Sequence, residues 1–475
     1  MSSNSITNPP RRGPVEPLGH PAGTAGSPAG NALRHPPGPS PLAGLRTFYR
    51  LIRHPLEMFT EAATYGDVAF LPALWRRVYF INHPDYIRDM LVNSAHKFEK
   101  SPAIKSMKPV LGEGLLTSER EFHLRQRRLA QPAFHRERIA GYGRVMASLA
   151  ANWRGRWHEG AAIELHSEMM GLTLAVVGKT LFDYDMTIDA SHIASSLDTF
   201  LEMFRFMMMP GAHKIEQLPI PPMVRLKRAR ENVDAIVYRI IRERRAEERD
   251  HGDLLSMLLA AQDVEGDGGS MTDKQLRDES LTLILAGHET TANALTWAFY
   301  LLSQNPEAEA RLHAELDSVL GGRLPTVEDL PKLIYADKVF AETLRLYPPA
   351  YAVGRWTLED HAFGPYRVPR HSVVLSSQWV MHRDARFYPD PIRFDPERWT
   401  PEARAARPKY AYFPFGGGNR ICIGESFAWM EGVLILATMA QQWRMRVAAD
   451  YKPELWPAIT LRPRNGLPVT LQRRA

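Results

Sequence analysis

Residues 413–425 read FPFGGGNRICIGE and contain Cys422, the single cysteine of this 475-residue chain. Three consecutive glycines allow the backbone to approach a bound group closely, because they carry no side chain. Arg420 and a predicted helix N-terminus lie next to Cys422, and both are expected to lower the pKa of its thiol. The segment therefore predicts either a functional thiolate or an inert cysteine buried beside a flexible turn.

The cysteine count limits the chemistry of the chain. One cysteine excludes an internal disulfide framework, a cysteine-rich zinc site and a four-cysteine iron–sulfur cluster. It leaves open a single thiolate ligand, and a thiolate is the axial ligand through which haem iron receives electron density for oxygen chemistry. The count is therefore compatible with one catalytic or metal-binding thiolate and equally with an inert core cysteine.

Composition and charge are those of a globular protein. Hydrophobic residues make up 44% of the chain, and its 59 basic and 53 acidic residues are spread along it with a net charge of +6. This distribution predicts no nucleic-acid binding. The sequence has neither an apolar run of 18 residues nor the apolar core of a signal peptide, so we expect a cytoplasmic protein without a transmembrane segment.

The chain is predicted to form one mainly α-helical domain with a small β component. Residues 1–41 hold ten of the 37 prolines, which predicts a disordered N-terminal tail, and residues 42–475 form the domain. Alternating patterns predict strands within Asp67–Ile81 and Arg367–Leu375. Helical patterns cover Ile139–Trp157, His166–Leu181, Ile193–Met209, Met223–Asp250, Thr272–Ser303 and Glu425–Trp443, and a further helix is expected from Thr326.

The cysteine segment resembles the ligand loop of the cytochrome P-450 superfamily, F-x-x-G-x-R-x-C-x-G, at every fixed position: Phe415, Gly418, Arg420, Cys422 and Gly424. The resemblance implies one large haem-enclosing fold that binds haem b, with Cys422 as the axial thiolate. It also implies that Phe415, Arg420 and Gly424 contact the cofactor.

A second motif supports the resemblance. Glu342 and Arg345 lie at i and i+3 of a predicted helix, and Arg398 follows in the segment FDPERW. An E-x-x-R pair alone usually marks a solvated surface pair. In the resembled family, however, the three corresponding side chains form a buried network that braces the cysteine loop, which implies a structural role here.

The long helix around residue 288 carries the segment AGHETT between apolar flanks. Taken alone, it could be a helix with a solvated polar turn. It is similar to the family's oxygen-activation motif, (A/G)-G-x-(D/E)-T. By that resemblance Gly287 makes room for dioxygen above the iron, and Thr290 with Glu289 relays protons for O–O bond cleavage.

Two places resemble contacts to the haem propionates. His123 and Arg127 lie at i and i+4 of a predicted helix, and Arg355 matches a strand arginine of the family. The preceding Glu119-Arg120 replaces a more usual Asp-Gly turn. A solvated basic face is the alternative interpretation of this helix.

By the same resemblance, the substrate pocket is lined by apolar side chains, here Met107, Phe204, Met208, Ala286, Val353 and Ile459. Ordinary helix core is the alternative for each of them. An apolar pocket favours a lipophilic substrate, of fatty acyl, terpenoid, steroid or macrolide-like type.

The function implied is a haem-thiolate monooxygenase that inserts one atom of dioxygen into its substrate. No fused reductase is expected, so electrons would come from a separate donor, a ferredoxin with its reductase, and the enzyme is expected to be a monomer. Two alternatives remain open. One is a haem-thiolate peroxygenase or isomerase, and the other is a non-catalytic haem-binding sensor or carrier, which would not need the Glu289 and Thr290 pair.

Overall fold

The structure is a computed structural model that describes residues 33–134, 136–209, 218–247, 249–262 and 269–474. Most of the predicted N-terminal tail, residues 1–32, lies outside the described residues. The side chains of residues 136–139 and of Pro41 are likewise not described.

Helices make up most of the described chain, as the sequence predicts. In the first half they are α1 (Gly44–Arg53), α2 (Pro55–Thr64), α3 (Pro84–Arg88), α4 (Pro102–Lys105), α5 (Lys108–Leu111), α6 (Arg120–Ala130), α7 (Arg136–Arg154), α8 (Leu165–Phe182) and α9 (Ala190–Met207). In the second half they are α10 (Pro221–Glu247), α11 (Leu254–Ala260), α12 (Asp273–Gln304), α13 (Pro306–Leu320), α14 (Ile334–Leu346), α15 (Gln378–Met381), α16 (Pro401–Ala406) and α17 (Glu425–Ala440).

The β component consists of small sheets built from short strands. The strands are β1 (Val68–Ala73), β2 (Arg76–Ile81), β3 (Phe98–Lys100), β4 (Ala162–Glu164), β5 (Val353–Thr357), β6 (His361–Phe363), β7 (Tyr366–Val368), β8 (Val373–Ser376), β9 (Trp443–Arg446), β10 (Leu455–Pro457), β11 (Leu461–Pro463) and β12 (Pro468–Arg473). The largest sheet has the order β1-β2-β8-β5-β3, and β4-β12-β9 form another. Two-stranded hairpins, β6-β7 and β10-β11, complete the set in the described residues.

Helix α12 runs through the main hydrophobic core and positions the site. Thr272 and Gln275 form a capping box at its start, which satisfies two backbone N–H groups that a helix N-terminus leaves unpaired. Its flanks are buried against α8, α14 and α17. Polar side chains in the middle of such a helix are therefore surrounded by protein.

Two predicted helix boundaries are wrong in detail. The cap at Thr326 precedes only a short turn, and the helix itself begins at Ile334 after Leu333. The strands expected within Arg367–Leu375 are β7 and β8, which belong to different sheets. The last helix ends at Ala440, because Trp443 already pairs with Arg473 in a sheet.

No helix in the described ranges combines the length and the apolar character that crossing a bilayer requires.

Candidate active site

The cysteine loop is a tight turn that leads into α17. The backbone N–H of Cys422 donates to the carbonyl of Phe415 at 3.0 Å, which closes the loop like a hairpin. Gly418 has a φ of 67°, and a Cβ there would lie 1.9 Å from the carbonyl oxygen of Leu91. Only glycine fits at this position, because a side chain would be strained and would also collide with the backbone. The loop thereby holds Cys422 in one place.

The protein surroundings of Cys422 favour the neutral thiol. Cys422 is exposed, but the protein atoms packed around its thiol raise its pKa to about 11, while the N–H of Gly424 and the charge of Arg127 lower it by less. The predicted lowering by Arg420 is wrong, since this side chain turns away to the carbonyl of Ser118 and to Glu119. Cys422 would hold an iron ion as its thiolate, because a bound metal ion lowers the pKa of a coordinating thiol.

A cluster of basic side chains lies beside the loop. Arg127 donates to the carbonyl of Ile421 at 2.8 Å, and Arg420 pairs with Glu119 at 2.5 Å. Burial and the charge of Arg420 lower the pKa of Arg355 to about 10. Burial, with the neighbouring arginines, lowers the pKa of Lys100 to about 7. Lys100 was missed by sequence analysis, since no motif marks it.

His123 lies in the same cluster. It is buried, and burial with the charges of Arg420 and Lys100 lowers its pKa to about 3. Its Nδ1 is buried without a hydrogen-bond partner. Basic groups that lower each other's pKa around an unpaired ring nitrogen fit a bound dianion. The two propionates of haem have that charge, so the residues present fit the cofactor.

Arg120 lies at the position where the more usual Asp-Gly turn has glycine. It begins α6 with a φ of 51°, which is the left-handed conformation that glycine adopts without strain. The exposed arginine pairs instead with Glu99. Arg120 is therefore held by this ion pair in a backbone conformation that favours glycine.

Glu342 and Arg345 form a fully buried ion pair. Arg345 donates from Nε and Nη2 to the two carboxylate oxygens of Glu342 at 2.8 and 2.7 Å. Its remaining donors reach the carbonyls of His382, Pro391 and Arg393. Every N–H of the guanidinium is thus satisfied, as a buried arginine requires.

Arg398 joins this pair less closely. Its Nε lies 3.5 Å from Glu342 and makes no hydrogen bond, whereas its Nη2 donates to the carbonyl of Asp390 at 2.8 Å. Trp399, in the same turn, donates to Glu342 at 3.0 Å. The three predicted side chains therefore lie together, but Arg398 has the weakest contact.

His382 connects the ion pair to the cysteine loop. Its carbonyl accepts from Arg345, and its Nε2 accepts from the backbone N–H of Phe413 at 3.0 Å. Burial lowers the pKa of His382 well below its usual range, so the ring stays neutral and able to accept. Sequence analysis missed this residue, because a lone histidine in an irregular segment carries no pattern.

Glu289 is turned toward the β10-β11 hairpin. Its carboxylate accepts a hydrogen bond from the hydroxyl of Thr460 at 2.6 Å. Asn293 donates to the same hydroxyl at 3.1 Å, and its amide oxygen lies 3.0 Å from Nε2 of His166. Burial raises the pKa of Glu289, and the charge of Arg462 partly opposes this.

Thr290 and Ala286 occupy the accessible side of the same helix. The hydroxyl of Thr290 donates to the carbonyl of Ala286 at 2.7 Å. Ala286 is exposed, and Leu285, Gly287 and Thr290 are half-buried, whereas residues 281–284, 288 and 289 are buried. Gly287 has a packing role that the sequence did not predict, since a Cβ there would lie 3.0 Å from Val177 of α8. Its predicted space for dioxygen stays a prediction.

The predicted pocket residues lie in three different places. Met107 and Phe204 are buried in the main core, and Met208 and Ile459 pack against it half-buried. Val353 packs against a different hydrophobic cluster, around the largest sheet. The structure therefore places four of the six side chains at one core, Ala286 on the accessible side of α12, and Val353 apart from them.

Glu431 is a buried acid that sequence analysis missed. It lies in α17, fully buried, and neither carboxylate oxygen receives a hydrogen bond. Burial raises its pKa to about 8, and nearby Thr291 lowers it by less. The hydroxyl of Thr291 donates to Gly287 instead. An acid in an apolar helix position is visible in the sequence, but its burial is not.

Comparison with known proteins adds to this geometry. Residues 35–467 match the sequence profile of the family described as Cytochrome P450. The chain belongs to the cytochrome P450 family. Cyclooctatin synthase of Streptomyces melanosporofaciens is 40% identical over 458 residues, which cover 94% of this chain and 96% of the relative. Pentalenene oxygenase of Streptomyces avermitilis is 36% identical over 87% of this chain and 91% of the relative.

Solved P450 structures share the fold. The structure named "Retinoic acid bound cyanobacterial CYP120A1" superposes with a TM-score of 0.83 at 26% identity, covering 94% of this chain and 100% of that one. The cytochrome P450DA heme domain gives a TM-score of 0.84 at 25% identity, with 94% and 99% covered. The predicted fold class is confirmed.

Family membership also confirms the predicted activity and cofactor. This P450 is a haem-thiolate monooxygenase that uses dioxygen and a redox partner, with Cys422, its single cysteine, as the axial ligand. A non-catalytic sensor or carrier is therefore not supported.

Proposed function

We propose that this P450 hydroxylates or epoxidises a cyclic terpenoid hydrocarbon. The observation that carries the substrate class is the 40% identity to cyclooctatin synthase over 94% of the chain. Relatives named pentalenene oxygenase and cyclooctat-9-en-7-ol 5-monooxygenase, at 36% and 38% identity, agree with it. The side chains proposed to line the pocket are apolar and would hold such a substrate by burial: Met107, Phe204, Met208, Ala286, Ile459 and, at the margin, Val353.

The basic side chains beside the cysteine loop are the proposed contacts of the haem propionates. When bound, haem supplies the activation of dioxygen at a thiolate-ligated iron. Arg127, Arg355 and Lys100 would hold its propionates by charge-assisted hydrogen bonds. Neutral His123 would add one hydrogen bond. Phe415, Arg420 and Gly424 shape the loop that presents Cys422.

Glu289 and Thr290 are proposed to deliver protons. Glu289 is buried and accepts a hydrogen bond from Thr460 of the β10-β11 hairpin. Thr290 is half-buried on the accessible side of α12. A carboxyl with a raised pKa exchanges protons more readily near neutral pH than an ordinary glutamate. Glu289 would therefore take up protons and Thr290 would position the water that transfers them.

A separate acidic ferredoxin, with its reductase, is the proposed electron donor. Exposed Arg88 and Lys409 act electrostatically on Tyr410 and Glu425, which flank the cysteine loop. Positive charge on this side complements an acidic partner and speeds its association. The monomeric state and the cytoplasmic location remain predictions.

Substrate binding can be tested with the Soret shift of the purified holoenzyme. We expect cyclic terpenoid hydrocarbons and their mono-alcohols to shift the band, and fatty acids of equal carbon number to have no effect at the same concentration. A shift with the fatty acids alone would refute the proposed class.

The peroxygenase alternative has its own test. Hydrogen peroxide without any electron donor should support far slower product formation than NADPH with ferredoxin and reductase. Equal rates would show that a redox partner is unnecessary.

A further inference from the structure

The segment between α5 and α6, residues 112–119, lies directly against α12, and we call it the α5–α6 loop. A Cβ on Gly114 would lie 2.3 Å from Oγ1 of Thr282 and 2.6 Å from the carbonyl oxygen of Asp278. The loop backbone therefore approaches the helix more closely than any side chain at this position would allow.

Two neighbouring carboxylates of α12 bind the backbone of the α5–α6 loop. Asp278 accepts a hydrogen bond from the N–H of Glu113 at 2.9 Å, and Glu279 accepts one from the N–H of Leu115 at 3.0 Å. Asp278 and Glu279 are 3% and 0% exposed. Because both hydrogen bonds join the loop to α12 in the interior, the two acids hold the loop in place.

The two acids differ in the charges around them. Asp278 pairs with Arg277 and with Lys274 of the same helix, at 2.9 Å each, and Arg277 also pairs with Asp234 of α10. Glu279 forms no ion pair with any described residue, and its Oε1 is buried without a hydrogen-bond partner. The charge of Asp278 is therefore compensated, whereas a charge on Glu279 would not be.

The surroundings of Glu279 favour its neutral form. Burial raises its pKa to about 8, and repulsion from Asp278 adds to the rise. The N–H of Leu115 and the amide of Gln126 in α6 lower the pKa by less. A neutral carboxyl still accepts from Leu115, so the hydrogen bond to the loop does not need the charge.

The α5–α6 loop connects α12 with the haem-binding part of the site. Leu115 is buried in the main core, together with Met107 of the proposed pocket. Near the end of the loop, the carbonyl of Ser118 accepts from Arg420 of the cysteine loop at 2.7 Å. Movement of the loop away from α12 would therefore open the protein between the proposed pocket and the surface.

We propose that Asp278 and Glu279 position the α5–α6 loop as a wall of the pocket, and that loss of the proton from Glu279 releases this wall. A buried carboxylate without a cation is unfavourable, so the charged form is stable only where water reaches it. In an open loop Glu279 regains its ordinary pKa of 4.5, and opening therefore releases a proton. Opening becomes more favourable as pH rises from about 4.5 to about 8, and above that range both forms are charged.

Ligand entry into the ferrous holoenzyme tests the proposal. Adamantyl isocyanide is bulky, does not titrate and binds the iron directly, so its association can be followed at the Soret band by stopped flow. We expect its association rate to rise by up to about tenfold per pH unit between pH 6 and pH 8 and to level off above. Carbon monoxide is small enough to enter without loop movement and should show no such rise.

Two replacements of Glu279 should have opposite effects. Glu279→Gln stays neutral and still accepts from Leu115, so the isocyanide should enter at the slow wild-type rate of pH 6 over the whole range. Glu279→Leu has no acceptor, and entry should be fast at every pH. A pH dependence of Glu279→Gln like that of the wild type would overturn the proposal, and so would slow entry in Glu279→Leu.

Matched controls separate the loop from other parts of the protein. Glu431 is also fully buried with a pKa raised to about 8, and Glu431→Gln should keep the wild-type rise with pH. Gly114→Ala pushes the loop away from Thr282 and should give fast entry, whereas Gly141→Ala, whose Cβ meets nothing within 4 Å, should not. The carbon monoxide spectrum of each variant reports its folding.

The inference takes from the proposed function only the position of the pocket. The isocyanide binds iron whichever substrate the enzyme uses, so a wild-type entry rate that does not change with pH would overturn the release of the loop alone. The terpenoid class would fail separately, in the Soret shift with candidate substrates.

Discussion

The hydroxyl of Thr460 lies 2.6 Å from the carboxylate of Glu289. Asn293 donates to this hydroxyl through its amide nitrogen, so its amide oxygen faces His166 as an acceptor. All donors in the network then point toward Glu289. Thr460 follows Ile459 in the β10-β11 hairpin, which means that the proposed acid is held by a segment that also borders the proposed pocket.

Replacing Thr460 with valine removes the last donor of this network at nearly constant shape. The hydrogen bond favours the charged form of Glu289 and lowers its pKa, so its loss should raise that pKa. We expect Thr460→Val to move the pH dependence of coupling to higher pH. We also expect it to divert electrons from product to hydrogen peroxide by roughly tenfold. The ratio of peroxide to product, measured across pH, checks both effects.

Two variants separate this effect from general damage. Thr460→Ser keeps the hydroxyl and should restore wild-type coupling. Thr438→Val removes another buried threonine hydroxyl, which bonds only within α17, and should leave the pH profile in place. A pH profile of Thr460→Val identical to that of the wild type would show that the hydrogen bond does not tune Glu289.

The sequence predicts the parts of this centre that are contiguous, and it fails for the parts that long-range packing creates. The cysteine loop is recognisable because its residues stand within ten positions and their spacing reflects one turn. Thr460 and His166 are separated from Glu289 by more than a hundred residues each, and neither carries a local pattern. Their contact exists only because α8, α12 and the terminal hairpin pack together.

Arg345 and Arg398 should differ in their importance for the brace of the cysteine loop. Arg345→Gln leaves Glu342 buried without its bidentate partner, and this should cost about 3–5 kcal/mol of unfolding free energy. Arg398→Gln should cost about 1 kcal/mol, because its Nε makes no hydrogen bond to Glu342. Denaturant titration and the ratio of Soret to protein absorbance measure the two effects. Equal losses in both variants would contradict the geometry.

Lys100 should contribute to haem retention although no motif predicts it. Burial lowers the pKa of this side chain, and the charges of Arg355, Arg420 and Arg127 lower it further. Lys100→Met removes one positive charge from the propionate site, and we expect haem to transfer to apomyoglobin about tenfold faster. Lys97→Met is the control, because Lys97 pairs with Glu359 at the surface. A faster transfer from both variants would indicate an unspecific effect.

Glu431 should make the stability of the enzyme fall as pH rises. Burial raises its pKa from 4.5 to about 8, so the folded state keeps a proton that the unfolded chain releases above its own pKa. The unfolding free energy therefore decreases between about pH 4.5 and pH 8. Glu431→Gln stays neutral, and near pH 8 it should be more stable than the wild type by about 3–5 kcal/mol.

The comparison requires denaturant titrations at both ends of this pH range. At the acidic end, wild type and Glu431→Gln should be nearly equal, because the glutamic acid is protonated in both folded and unfolded chains. Exposed Glu307 provides the control, and Glu307→Gln should keep the wild-type pH dependence. If Glu431→Gln loses stability at the alkaline end instead, the carboxylate is charged in the folded protein and has a partner that accounts for its burial.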